Sequence, residues 1–247
     1  MHRGADGRVD VVADAETLGQ VAAERMASAI AAAVAARGRC DLALAGGATP
    51  KRAYEALAAA PLPWRSVHVW FGDERCVPPD DEASNYRLAR IALLDRVTIP
   101  PANVHRMRGE ETDRDAAALA YERELPAALD LLLLGMGQDG HTASLFPGSD
   151  ALREERRRVV AVVGQKPPPH RLTITPPVVR AARELLVLAA GADKAAAARR
   201  ALQEEVDPID CPARLLRDGA WLLDRPAAAE IETTLRASMR GSRGGIA

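Results

Sequence analysis

The chain has 247 residues, 48% of them apolar, enough to bury a substantial core. Its 33 basic and 34 acidic residues nearly cancel, which excludes recognition of nucleic acid or anionic membrane by net charge, and aromatics at 3% exclude a base-stacking platform. Three cysteines, Cys40, Cys76 and Cys211, make an odd number without a close pair, excluding a disulfide framework and a CxxC metal or redox site.

Reduced thiols point to the cytoplasm. The first ten residues, Met1 to Asp10, are charged and polar and do not form an export signal, and the apolar run Met26 to Ala36 is too short to span a bilayer. A single domain over 1–247 is expected, with its core from about 8 to 236.

Arg8 to Ala13 is rich in β-formers, and Asp14 and Glu16 then read as the cap and first turn of an alanine-rich helix that Gly38 ends near Arg37. Asp41 to Ala45 reads as a buried strand, followed by a Gly46-Gly47 turn and a helix from about Thr49 to Ala60 that Pro61 and Pro63 stop. A strand at Val67 to Phe71, helices at Ala83 to Leu94 and Asp113 to Leu125, and an apolar strand at Leu129 to Leu134 continue the alternation. Val159 to Val163, Arg171 to Thr175 and Glu184 to Ala189 read as further strands. A helix from Asp193 to Glu204, a strand near Ala220 to Leu223, a last helix from about Pro226 to Leu235 and a disordered tail, Gly241 to Ala247, complete the pattern. Such alternation predicts a three-layer αβα fold around a mainly parallel, Rossmann-like sheet. The arginine run Arg153 to Arg158 reads as a solvated face.

In a parallel sheet, ligands bind outside the carboxyl ends of the strands, so the segments directly after strands carry the information. After the second predicted strand, Ala45-Gly46-Gly47-Ala48-Thr49-Pro50-Lys51 offers backbone N–H groups at a helix start, suited to a phosphate. A plain tight turn accounts for the glycines equally well, and the spacing is not that of a Walker A loop. Asp73-Glu74-Arg75 comes after the third strand: Arg75 can bind a carbonyl or phosphate oxygen with Asp73 or Glu74 orienting it, or the group can be a structural ion pair. Ser84-Asn85-Tyr86 can cap the next helix and supply polar contacts.

Gly135-Met136-Gly137-Gln138-Asp139-Gly140-His141 formally contains the dinucleotide fingerprint GxGxxG, but it lies past mid-chain, and Pro147-Gly148 interrupts the segment that a Rossmann motif would continue as a helix. Its closing histidine is the more informative residue. An imidazole can take a proton from water near neutral pH, and Asp139, two residues earlier, can fix its tautomer. Arg171 opens a strand, and Lys194 lies in the first turn of a helix whose dipole it opposes, a cost that suggests an anion nearby, although a solvated surface lysine accounts for it equally well.

In these motifs the chain resembles the 6-phosphogluconolactonases, which share a fold with glucosamine-6-phosphate deaminases. The match covers roughly Val9 to Leu235 and rests on Ala45 to Pro50, Gly72 to Pro78 with Ser84-Asn85-Tyr86, Leu134 to Pro147 and Pro167 to Thr175. The resemblance implies a hydrolase, without metal or cofactor, that opens a phosphorylated sugar δ-lactone in the oxidative pentose phosphate pathway, as a monomer or weak homo-oligomer. In that picture His141 activates water with Asp139, Asp73 and Arg75 serve the reacting end, and Gly46, Gly47, Ala48, Thr49, Arg171 and Lys194 hold the phosphate. Two features depart from common patterns. Ala45 and Ala48 stand where the family loop commonly has serines, and Phe146 stands where the deaminases have a further glutamate, five residues after the histidine.

Overall fold

A computed structural model describes residues 8–165 and 167–231. Six strands form one fully parallel sheet: β1 (Val9–Val12), β2 (Cys40–Leu44), β3 (Val67–Phe71), β5 (Leu131–Gly135), β8 (Glu184–Ala189) and β9 (Ala220–Asp224), in the order β1-β9-β8-β5-β2-β3. β4 (Asp73–Arg75), β6 (Val159–Val163) and β7 (His170–Ile174) form a separate antiparallel ribbon in the order β4-β7-β6. Thus two of the strands expected from the apolar pattern leave the main sheet and pair with each other, and β7 pairs also with β4, a charged three-residue strand that has no apolar pattern of its own.

Helices cover both faces. α1 (Ala15–Arg37), α2 (Ala48–Leu57) and α3 (Asn85–Ala92) pack on one side, where Leu42, Leu44, Leu131 and Leu133 meet Leu18, Met26, Ile30 and Tyr54. α4 (Arg114–Glu124), α5 (Pro176–Ala181) and α6 (Ala195–Gln203) pack on the other, against Ala43, Leu132, Leu134 and Val187. Alternate residues of each central strand therefore serve opposite cores, which explains the unbroken apolar run Leu131-Leu132-Leu133-Leu134. No helix among the described residues is long and apolar enough to cross a membrane.

Capping reflects local chemistry. Asp14 accepts the N–H of Thr17 at 2.8 Å at the start of α1, and Ser84 accepts that of Arg87 at 3.1 Å at the start of α3. The short helix α5 is hidden in the sequence by Pro176-Pro177, which fit the first turn because the missing N–H groups have no intrahelical acceptor there. Of the expected last helix, residues 226–230 form turns, Ile231 is a bend and residues 232–235 lie outside the described residues, as does the tail 241–247. Nor is the arginine run simply solvated. Arg157 pairs with Glu122 of α4 at 2.7 Å, and Arg158 donates to the Leu125 carbonyl at 2.9 Å, tying β6 to that helix.

The chain leaves β2 toward β3 and leaves β5 toward β8, in opposite directions, although β2 and β5 are neighbours. A crevice opens beyond their carboxyl ends at this switch point.

Candidate active site

The crevice is a cavity of about 390 Å³ lined by the turns after β2, β5 and β8 and by the ribbon. Of the ten residues singled out in the sequence, nine line it: Gly46, Gly47, Ala48, Thr49, Asp73, Arg75, His141, Arg171 and Lys194. The tenth, Asp139, bonds the cavity's histidine.

On the β2 side, Tyr54 fixes where the turn begins, its hydroxyl accepting the Ala45 N–H at 2.8 Å and donating to the Ala45 carbonyl at 2.7 Å. Gly47, at φ 106°, is the N-cap of α2 and supplies no side-chain cap. That backbone angle favours glycine, and the first amides of α2 lack intrahelical acceptors, so they face the cavity at the positive end of the helix. Ala45 and Ala48 add no hydroxyl to this set.

On the β5 side, the turn folds on itself: the Gly137 N–H donates to the His141 carbonyl at 2.8 Å and the Gly140 N–H to the Gly137 carbonyl at 3.0 Å. It brings His141 Nδ1 to 2.5 Å from Asp139 Oδ1, which also accepts the His141 backbone N–H at 3.2 Å. A carboxylate on Nδ1 selects the tautomer whose Nε2 carries a lone pair. The imidazole in turn holds the Asp139 carboxyl down at about 2. Gly137 makes room for the pair, since a Cβ there would lie 2.1 Å from His141 Nδ1. The Phe146 ring lies against the imidazole, centroids 5.1 Å apart.

The ribbon brings charge to the cavity. Asp73 is buried; its Oδ2 accepts from Ser144 Oγ at 2.6 Å and its Oδ1 from Asn85 Nδ2 at 3.0 Å. Arg75 donates from its guanidinium to the Ala83 carbonyl, and Arg171 donates from Nε to the Pro168 carbonyl at 2.7 Å. The structure corrects the expectation that Asp73 or Glu74 orients the Arg75 guanidinium: Glu74 accepts the backbone N–H of Arg75 at 2.7 Å, and Asp73 is engaged by Ser144 and Asn85. Burial and then the Arg75 charge lower the Arg171 guanidinium below its ordinary range, yet a guanidinium stays charged in a protein. Lys194 ends a 3-10 turn as the N-cap of α6, just before the first turn in which the sequence pattern puts it, with Nζ 2.8 Å from Asp193 Oδ2.

Sequence reasoning missed Met136, Ala143 and Leu188 to Ala190 as lining residues, and Ser144 and Thr173 as supports. The first group contributes backbone and apolar surface, which carries no motif. Ser144 sits in the turn closed by the Leu145 N–H on the Thr142 carbonyl at 2.9 Å, with Ala143 at φ 48° turning the hydroxyl inward to Asp73.

Fold and crevice together define a three-layer α/β protein with a basic cavity and an Asp-His pair at the switch point of a parallel sheet. The chain belongs to the family of glucosamine-6-phosphate isomerases and 6-phosphogluconolactonase, whose model matches residues 13–223. It is 46% identical over 155 residues to the 6-phosphogluconolactonase of Synechocystis sp., a match covering 59% of this chain and 65% of that relative. It is 41% identical over 241 residues to the 6-phosphogluconolactonase of Mycobacterium tuberculosis, covering 90% of this chain and 98% of the relative. Among solved structures, 6-phosphogluconolactonase from Trypanosoma brucei aligns with a TM-score of 0.81 at 30% identity, over 92% of this chain and 99% of that one. A monomeric glucosamine-6-phosphate deaminase aligns with a TM-score of 0.79 at 26% identity, over 90% and 99%.

Proposed function

We propose that this protein is a 6-phosphogluconolactonase, hydrolysing 6-phospho-D-glucono-1,5-lactone to 6-phosphogluconate in the oxidative pentose phosphate pathway. The observation that carries the reading is the 2.5 Å contact between Asp139 and His141 Nδ1, which leaves Nε2 as a base in a cavity that also holds Arg75, Arg171, Lys194 and the Gly46 to Thr49 turn.

The phosphate sits on the amides of Gly46 to Thr49 with Arg171 and Lys194 around it, and its binding energy holds the lactone carbonyl near a water beside His141. His141 Nε2 takes one proton from that water as its oxygen bonds to C1. Arg75 faces the negative charge that develops on the carbonyl oxygen. Collapse of the tetrahedral adduct breaks the C1–ring oxygen bond, and the imidazolium returns its proton to the departing ring oxygen. Asp139 stays ionised throughout and stabilises the transient imidazolium, the role its depressed carboxyl suits. Three free cysteines fit a reducing cytoplasm.

Ring opening and deamination of glucosamine 6-phosphate is the second reading, favoured by the shared fold. Phe146 weighs against it, because an apolar ring packs on His141 where the deaminases carry a glutamate. The deciding experiment compares opening of 6-phosphogluconolactone, corrected for spontaneous hydrolysis, with ammonia release from glucosamine 6-phosphate by the same purified chain. Lactone opening without ammonia is expected, and the reverse result would replace the first reading by the second.

A further inference from the structure

Asn85 opens α3 at the floor of the cavity and is only 2% exposed. Its two polar side-chain atoms do different things. Nδ2 donates to the Asp73 carbonyl at 2.9 Å and to Asp73 Oδ1 at 3.0 Å, while the backbone N–H donates to Glu74 Oε1 at 2.7 Å. With the amide nitrogen so pinned, Oδ1 must point the opposite way, toward the phosphate-loop glycine. There it is buried without a hydrogen-bond partner, and a Cβ on Gly46 would lie 1.9 Å from it. The Gly46 backbone thus rests directly on the Asn85 carbonyl oxygen, with space for hydrogen and nothing larger.

A buried acceptor without a donor costs stability. Leucine or alanine at this place would avoid the cost, but neither could hold Asp73 from one side and bear on Gly46 from the other. We infer that Asn85 is a positioning residue that sets the distance between the phosphate-binding turn at Gly46 and the buried Asp73 carboxylate of β4, the strand that carries Arg75. The inference rests on the reading of the cavity as a 6-phosphogluconolactone site. In a site where remote phosphate binding energy places the carbonyl against a fixed base, an error of a fraction of an ångström between the two ends lowers turnover as well as affinity. An unphosphorylated lactone does not engage the turn and is less sensitive to that spacing.

The test measures kcat and KM of wild type, Asn85→Ala, Asn85→Ser, Gly46→Ala and Gly46→Ala/Asn85→Ala on 6-phosphogluconolactone and on unphosphorylated glucono-1,5-lactone, with thermal melts alongside. Asn85→Ala and Asn85→Ser are expected to lose about tenfold or more in kcat/KM on the phosphorylated substrate, partly in kcat, with a loss at least roughly threefold smaller on the unphosphorylated one. Gly46→Ala should behave likewise, because its methyl group strikes Oδ1. Removing that oxygen relieves the clash, so the double variant should be more active than the product of the two single losses. Equal losses on both lactones, or multiplicative losses in the double variant, would overturn the inference. If Asn85→Ala does not fold, Asn85→Ser and the Gly46→Ala comparison across the two lactones decide the matter. Wild-type enzyme that fails to open the phosphorylated lactone refutes the reaction assigned to the cavity, an outcome separate from either result for Asn85.

Discussion

Arg75 and Arg171 are register partners across the antiparallel pairing of β4 and β7, so two guanidinium groups rise from the same face of the ribbon into one cavity. Like charges directly opposite in a sheet are unfavourable. The carboxylates of Asp73 and Glu74 offset part of the repulsion at Arg171, and an anionic ligand would offset more. Arg171→Ala and Lys194→Ala are each expected to raise KM for the phosphorylated lactone by roughly 10 to 100-fold, the usual worth of a charge-assisted hydrogen bond, with kcat changed much less. An unaltered preference for phosphorylated over unphosphorylated lactone in both variants would remove these residues from the phosphate site.

His141→Ala removes the base and leaves the cations in place. Turnover of the phosphorylated lactone should fall by about 10² to 10⁴-fold while 6-phosphogluconate still binds, as titration calorimetry can show. A folded variant turning over at near the wild-type rate would exclude His141 as the base.

The pH dependence separates Asp139 from its partner. Hydrogen bonding to His141 holds the Asp139 carboxyl at about 2, below its ordinary value. A depressed carboxyl stabilises the folded state above its unfolded value near 3.8 and loses that contribution as pH falls toward 2. Since the side chain is 37% exposed, solvent screening keeps the contribution small. Asp139 is therefore ionised throughout the working range and cannot produce the acid limb of a rate profile near neutrality. Asp139→Asn should lower kcat by roughly 10² to 10⁴-fold through loss of the oriented tautomer. A folded Asp139→Asn variant with near wild-type kcat would show that Asp139 does not orient the base.

Much of this arrangement is legible in the sequence for a physical reason. Segments directly after buried parallel strands must lie at one edge of the sheet, so Ala45 to Thr49 and Gly135 to His141 can be placed together from the apolar runs Asp41 to Ala45 and Leu129 to Leu134 alone. The ribbon is not legible in the same way. Asp73-Glu74-Arg75 is a strand only because β7 pairs with it, and Arg171 is buried only because that pairing covers its stem. Likewise, Glu74 reads as a partner for a guanidinium because both are charged, whereas the start of α3 offers it backbone N–H groups in better geometry.

That last contest can be tested by stability. Glu74 is 3% exposed and accepts the backbone N–H groups of Arg75, Asn85 and Tyr86 at 2.7, 2.7 and 2.8 Å and the Ser84 hydroxyl at 3.1 Å. Burial raises its carboxyl above the ordinary value, and these backbone hydrogen bonds recover only part of the cost. Glu74→Gln removes the buried charge, which alone would stabilise the fold. It also turns one acceptor oxygen into an N–H₂ group aimed at donors, stranding at least one of them at about 1 to 3 kcal/mol. We expect the stranded donors to win, with the melting temperature falling by roughly 2 to 8 °C at pH 7. The sign of the pH effect comes from the raised carboxyl: wild type takes up a proton in the folded state first, so this group's contribution to stability grows as pH falls toward 4.5, while glutamine contributes no such term. The gap between wild type and Glu74→Gln should therefore widen in mild acid, and a variant that melts at or above wild type would show that the desolvation cost of the carboxylate outweighs its four donors.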